Sequence, residues 1–163
     1  MKIGILSDSH DDHVNVQKVI DVFNESKVEM VLHGGDFVSP STACKFSQLE
    51  QAGFIGVFGN CDRERDSIKS SVTAFGGEIY QGIYTGQIDR IRVFMTHCCH
   101  VVDDVAASGL YDLVIYGHTH KRDIRKVEKA FIVNPGETAD LSCGDSSVVM
   151  LETGSMNYEV VCL

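Results

Sequence analysis

Two histidines stand two residues apart in Tyr116-Gly117-His118-Thr119-His120, directly after the apolar run Leu113-Val114-Ile115. Residues two apart on an extended chain project the same way, so such a pair at a strand end makes a two-nitrogen fork for a metal ion; on a helix it would diverge. The apolar run reads as a short buried strand, and Gly117 lets the chain turn at its end. Taken alone, the pair is equally well two ordinary surface or core histidines. Four other apolar runs end in similar chemistry. Ile3-Gly4-Ile5-Leu6 breaks into Ser7-Asp8-Ser9-His10, and Met30-Val31-Leu32 into His33-Gly34-Gly35-Asp36. Ile55-Gly56-Val57-Phe58 breaks into Gly59-Asn60-Cys61-Asp62, and the run from Ile91 to Thr96 ends at His97. Each ending separately is turn chemistry. Together they supply more histidine and carboxylate than turns require, and in open α/β sheets the carboxyl ends of strands gather along one edge, where ligands bind.

The elements that must position these residues alternate in the front half. A strand over 2–7 precedes a helix over 13–25, where Val16, Val19, Ile20 and Phe23 recur at helical spacing. A strand over 28–33 leads to a helix over 41–52 started by Pro40, and a strand over 54–58 leads to a charged helix over 62–71. From Gly76 the texture changes to short runs: Ile79 to Tyr84, Gln87 to Ile88 and Ile91 to Thr96. A helix over 100–108 interrupts before a strand over 112–116, and strands over 131–133, 147–151 and 158–161 complete the chain. Strands alternating with helices and then strand-rich sequence imply an α/β fold of two mixed sheets packed together with helices outside.

At 163 residues and 44% hydrophobic, the chain has the size of one domain with a substantial core. It shows no export signal and no apolar stretch of the ~18 residues that span a bilayer, so a cytoplasmic location and no membrane partner are expected. The six cysteines, without zinc-ribbon spacing, read as free thiols. A net charge of −9 argues against stable nucleic-acid binding, which lysines and arginines drive. Lys121-Arg122 and Arg125-Lys126 read as a solvated strand or hairpin in preference to a phosphate-guiding patch.

The ordered series Asp8-x-His10, Gly35-Asp36, Gly59-Asn60-x-Asp62, His97 and Gly117-His118-x-His120 resembles the motifs of the calcineurin-like metallophosphoesterases. The short chain and the late Asn134-Pro135-Gly136 are similar to the small single-domain phosphodiesterases of bacteria and archaea. The resemblance covers nearly the whole chain. It implies a four-layer αββα sandwich, a single domain over 1–163, and a two-metal centre on one rim. It also implies a metal-dependent phosphodiesterase or phosphatase acting on small phosphodiesters by attack of a metal-bridging hydroxide. Carried over position by position, Asp8, His10, Asp36 and His120 would hold one ion, and Asp36, Asn60, His97 and His118 the other. Asp36 would bridge by offering one oxygen to each ion. A set of four histidines, two aspartates and one asparagine suits manganese first, with nickel, iron, zinc or cobalt as alternatives, and is too rich in nitrogen for calcium or magnesium.

Asn60, Cys61, His97 and His100 are the residues expected nearest the chemistry. Larger members of the superfamily place a histidine where this chain has Cys61, and that histidine is thought to serve the leaving oxygen. A thiol matches neutral pH less well than imidazole. Asp62 would then serve to cap the following helix. His100, after Cys98-Cys99, is read either as a substitute donor or as a solvated helix-start residue. His33 is expected to support the ligands, His13 to be surface, and Cys98 and Cys99 to be small buried residues. Asn134-Pro135-Gly136 is a turn that the family places at the metal rim, and 136–147 reads as a mobile loop. The oligomeric state is left open between monomer and a homodimer or higher homo-oligomer. Two other functions compete. One is a non-catalytic scaffold of the same fold, like the retromer subunit that resembles these enzymes. The other is a small receiver-like or nucleotide-binding α/β module, which would explain acidic strand ends but not four histidines arranged in motifs; the absence of a P-loop disfavours nucleoside triphosphate hydrolysis of that type.

Overall fold

The computed structural model describes residues 1–141 and 146–163. Its first sheet contains β1 (Lys2–Leu6), β2 (Met30–His33), β3 (Gly53–Val57), β4 (Glu78–Tyr80), β10 (Ser147–Glu152) and β11 (Tyr158–Cys162), in the order β11-β10-β1-β2-β3-β4. β1 to β4 run parallel, and β10 and β11 add antiparallel at one side. The second sheet contains β5 (Ile83–Ile88), β6 (Ile91–Thr96), β7 (Leu113–Ile115), β8 (Asp123–Val127) and β9 (Ala130–Asn134), in the order β5-β6-β7-β9-β8. Within it β6, β7 and β9 are mutually parallel.

The layers follow from three apolar clusters. Ile3, Ile5, Leu32 and Val57 of the first sheet pack against Val93, Met95, Leu113 and Ile115 of the second. On the outer face of the first sheet, Val31, Phe54 and Val148 meet Val16, Val19 and Phe23 of α1 (His13–Glu25), Ala43 of α2 (Pro40–Lys45), and Ile68 and Val72 of α3 (Arg65–Ala74). Outside the second sheet, Phe94, Val114 and Ile132 are covered by Val102 and Ala106 of α4 (Val102–Ala107). This is the four-layer αββα sandwich. Strands covered on both faces are buried along nearly their whole length, hence the continuous apolar runs.

Three expected elements differ. α2 stops at Lys45, and a 3₁₀ turn over Phe46–Gln48 replaces the rest of the expected helix. Asn24 on α1 is responsible: its amide donates to the Gln48 carbonyl and its Oδ1 accepts from Glu50 N, taking the groups that further helix would use. α3 begins three residues late because Asp62 holds loop amides and caps nothing. The apolar run from Ile79 to Tyr84 is two strands: β4 pairs with β3, the chain crosses at Gln81-Gly82, and β5 joins the other sheet. The basic cluster lies on the β8 edge, where Arg125 is paired with Asp103 at 2.6 Å and Asp123 at 2.9 Å and is not free to guide phosphate.

Cys143 and the tip of the expected 136–147 loop lie outside the described residues. The start of that loop is not a surface loop: Glu137, Thr138 and Ala139 are buried, with Thr138 N and Ala139 N donating to the carbonyls of Ser7 and Asp8. The five described cysteines are free, but Cys98 is exposed where burial was expected. Among the described residues, no helix is long and apolar enough to cross a membrane.

Candidate metal centre

β1, β2 and β3 in one sheet and β6 and β7 in the other end on the same rim, and the chain just beyond each end supplies the polar side chains. Five of the seven expected ligand positions do not sit on extended backbone: Asp8 (φ 54°), His10 (φ 37°), Asp36 (φ 61°), His118 (φ 70°) and His120 (φ 58°) are left-handed. Aspartate and histidine tolerate that region better than most side chains, but each such residue still costs about 1–3 kcal/mol. The fork at His118 and His120 is therefore not the same-side pair that strand alternation implies. Its two rings serve different groups of donors.

In the first group, His10 Nε2 lies 3.3 Å from His120 Nε2, 3.8 Å from Asp8 Oδ1 and 3.5 Å from Asp36 Oδ2, and His120 Nε2 lies 3.5 Å from Asp8 Oδ1. In the second, His97 Nε2 lies 3.4 Å from Asp36 Oδ2 and 3.0 Å from Asn60 Oδ1, which is 2.9 Å from His118 Nδ1. Donors about 2.1 Å from one ion lie about 3.0 Å apart at a right angle and about 3.4 Å apart at the tetrahedral angle, so these separations match coordination edges. The same oxygen of Asp36, Oδ2, faces both groups, whereas Oδ1 accepts the Cys61 amide at 2.8 Å. A shared single oxygen replaces the expected division of one oxygen to each side.

The tautomers are set from behind. His97 Nδ1 donates to the Gly34 carbonyl at 2.9 Å, and His120 Nδ1 donates to Glu137 Oε2 at 2.6 Å. Both rings therefore turn an Nε2 lone pair toward carboxylate or amide oxygens that also only accept. Backbone amides are the donors these carboxylates receive, His118 N to Asp8 and Cys61 N to Asp36 Oδ1, and Asp8, Asp36 and Asp62 are buried with no lysine or arginine within ion-pair distance among the described residues. Such an arrangement is costly unless cations complete it, and a neutral-imidazole and carboxylate set is what divalent transition metals take.

The carboxylates favour positive charge among the groups around them. Burial alone would raise the Asp36 carboxyl, but the neighbouring His97 ring and the hydrogen bond from the Cys61 amide hold it well below the usual carboxylate range. His10 is raised, chiefly by the Asp8 carboxylate beside it; burial lowers His97, but Asp36 outweighs it and the net shift is upward. His33 is no ligand: Gly35 N donates to its Nδ1, its Nε2 meets Ser9 Oγ, and burial lowers its pKa to about 3. Burial and the nearby Asp36 raise the Cys61 thiol to about 11, so it is a weak proton donor.

Two glycines are required by space. A Cβ on Gly59 would run into the Asp36 carboxylate, and one on Gly117 into Ser7 Oγ and Asp8. Gly117 is thus needed for a close approach and not for the turn. Asp62 accepts from Asp36 N, Val38 N and Gly59 N at 2.7–3.1 Å, tying two ligand loops together. Asn134 donates to the Gly117 carbonyl and to Thr119 Oγ1, which puts the Asn134-Pro135-Gly136 turn under the histidine loop.

All seven expected metal-ligating residues meet at this rim, and Cys61 joins them within 4.8 Å of His10 and Asp36. His100 does not: it is exposed and belongs to none of the donor groups among the described residues. His13 opens α1 as expected. Glu137 is the residue that sequence reasoning missed; a carboxylate directly after Asn134-Pro135-Gly136 was the available signal. A cleft of about 580 Å³ opens over His10, Cys61 and Asn60, and a second of about 350 Å³ lies against Asn60 and His97.

The family model described as the calcineurin-like phosphoesterase superfamily domain matches residues 1–156. Phosphodiesterase MJ0936 of Methanocaldococcus jannaschii is 39% identical over 166 residues, covering 100% of this chain and 99% of that protein. The solved structure of a novel archaeal phosphodiesterase superposes with a TM-score of 0.95 at 38% identity over 100% of both chains. Vps29 from Entamoeba histolytica, in a structure complexed with zinc, shares the fold at a TM-score of 0.68 and 20% identity over 99% of each chain.

Proposed function

The chain belongs to the calcineurin-like phosphoesterase superfamily, and from that premise we propose that it is a binuclear-metal-dependent phosphodiesterase for small, exposed phosphodiesters. Asp8, His10, Asp36 and His120 would hold one divalent ion, and Asp36, Asn60, His97 and His118 the other. Two bound ions would supply Lewis acidity toward phosphoryl oxygens and lower the pKa of a water held between them. The observation that carries the reading is the pair of lone-pair convergences meeting at Asp36 Oδ2, with tautomers fixed by Gly34 and Glu137.

The chain's own contribution is to hold those donors in register and to leave the rim open. Asn60 adds an oxygen without adding negative charge, which favours an anionic substrate. Cys61, raised to about 11, does not replace an imidazole acid, and His100 is exposed and outside the donor groups. Substrates whose leaving group departs without a proton should therefore react best. Manganese is the preferred ion in this proposal, and the cytoplasm the expected compartment.

The competing scaffold reading shares the fold and the same donor residues, so metal binding alone does not separate the two. Turnover does. Elemental analysis should give close to two ions per chain. Bis(p-nitrophenyl) phosphate hydrolysis should be lost to chelation, restored by Mn, Ni or Zn, and faster than p-nitrophenyl phosphate hydrolysis. Full metal occupancy with no turnover of either ester would favour the scaffold.

A further inference from the structure

The two clefts that meet at Asn60 differ in chemistry. On the His10 side the walls are polar, with Asp11, Ser39, Arg63 and Glu64. On the His97 side they are Phe58, Thr96 and Ile83, with Gly82 and one cation, Arg65. Ile83 is 54% exposed, so an isoleucine is left at a cleft wall and not packed into the core. The Arg65 guanidinium lies 5.3 Å over the Phe58 ring, with Nε and one terminal nitrogen donating to the Asp62 and Gly59 carbonyls at 3.1 Å. Its other terminal nitrogen reaches Gln81 Oε1 at 3.4 Å, a long contact. Among the described residues no carboxylate lies within ion-pair distance of this charge.

A cleft of about 350 Å³ sits at the small end of organic-ligand sites, which run from about 300 to 1,000 Å³. It has room for one ring system. A phosphodiester carries two organic arms on one phosphorus, and a phosphorus held beside Asn60 can direct one arm to each cleft. We propose that the cleft of Phe58, Ile83 and Arg65 is the subsite for one arm, and that this arm is a flat aromatic ring bearing a hydrogen-bond acceptor on its edge. Phe58 is buried beneath Arg65, so the ring would rest on the exposed Ile83 side chain and the Arg65 guanidinium, which would read the acceptor; an alkyl arm would leave that cation unmet. The inference rests on the phosphodiesterase reading and names the arm that this reading leaves open.

Gly82 provides the test, because an added Cβ there meets nothing within 4 Å and the backbone is not left-handed. Calorimetry on the metal-loaded protein should rank 4-nitrophenylphosphonate above phenylphosphonate above methylphosphonate. Gly82→Leu should weaken both aryl compounds about tenfold and leave methylphosphonate and inorganic phosphate unchanged. Ile83→Ser, at an exposed site that tolerates it, should move the aryl compounds the same way. Equal affinities across the three phosphonates, or a parallel loss for inorganic phosphate in Gly82→Leu, would overturn the subsite. Because binding is read directly, that failure is distinct from absent turnover in the wild type, which would refute the function.

Discussion

Glu137 supports the proposed centre from outside its seven expected ligands. A metal-bound imidazole needs its far nitrogen held, and the 2.6 Å bond from His120 Nδ1 to the buried Glu137 carboxylate fixes both ring angle and tautomer. Removing such support typically costs about 10–100-fold in metal affinity. Glu137→Gln is therefore expected to lower affinity for the ion on the Asp8, His10 and His120 side by that factor. The second ion should be retained, so titration with a competing chelator should split into two steps. A single unchanged step would mean that the carboxylate only fills space.

Among the elements, the strand-end loops are locked together by contacts too close for any side chain at Gly59. Its neighbour is the Asp36 carboxylate, and Asp62 holds the amides of both residues. Gly59→Ala forces the two loops apart. Overpacking of this kind costs about 1–3 kcal/mol, and about 2–4 °C in Tm per kcal/mol at this chain length. A fall of several degrees with bound metal below one ion per chain is expected. Gly154→Ala, where an added Cβ meets nothing within 4 Å, should show neither effect. Equal metal content in the two variants would show that the loops have slack.

For the molecule as a whole, His33 couples the rim to global stability. It is fully buried, stacked 3.7 Å from the Phe37 ring, and its pKa is lowered from 6.5 to about 3 by burial. The unfolded chain therefore takes up a proton below about pH 6.5 that the folded protein refuses. Stability is present above that pH and falls toward pH 3, by up to about 1.4 kcal/mol per unit. In chelated protein, urea midpoints at pH 7.5 and pH 5 should show wild type losing about 2 kcal/mol more than His33→Gln. Matching pH slopes would mean that the buried imidazole is charged in the fold.

Much of this was legible before the fold was known, for physical reasons. Buried parallel strands must be apolar throughout, so their ends are visible as abrupt changes to Asp, Asn, His and Gly, and seven residues that meet at one rim could be named as candidate ligands from those breaks and a family resemblance. Local composition could not say which sheet a strand joins. The run over Ile79 to Tyr84 has one texture, yet it crosses between layers at Gln81-Gly82, where long-range pairing outweighs propensity. Nor could it show that Asp62 ties two loops, that one oxygen of Asp36 faces both donor groups, or that Glu137 orients His120. Those contacts join residues 17 to 26 positions apart in the chain, or depend on which of two oxygens turns inward. Only the packing of two sheets rim to rim supplies that information.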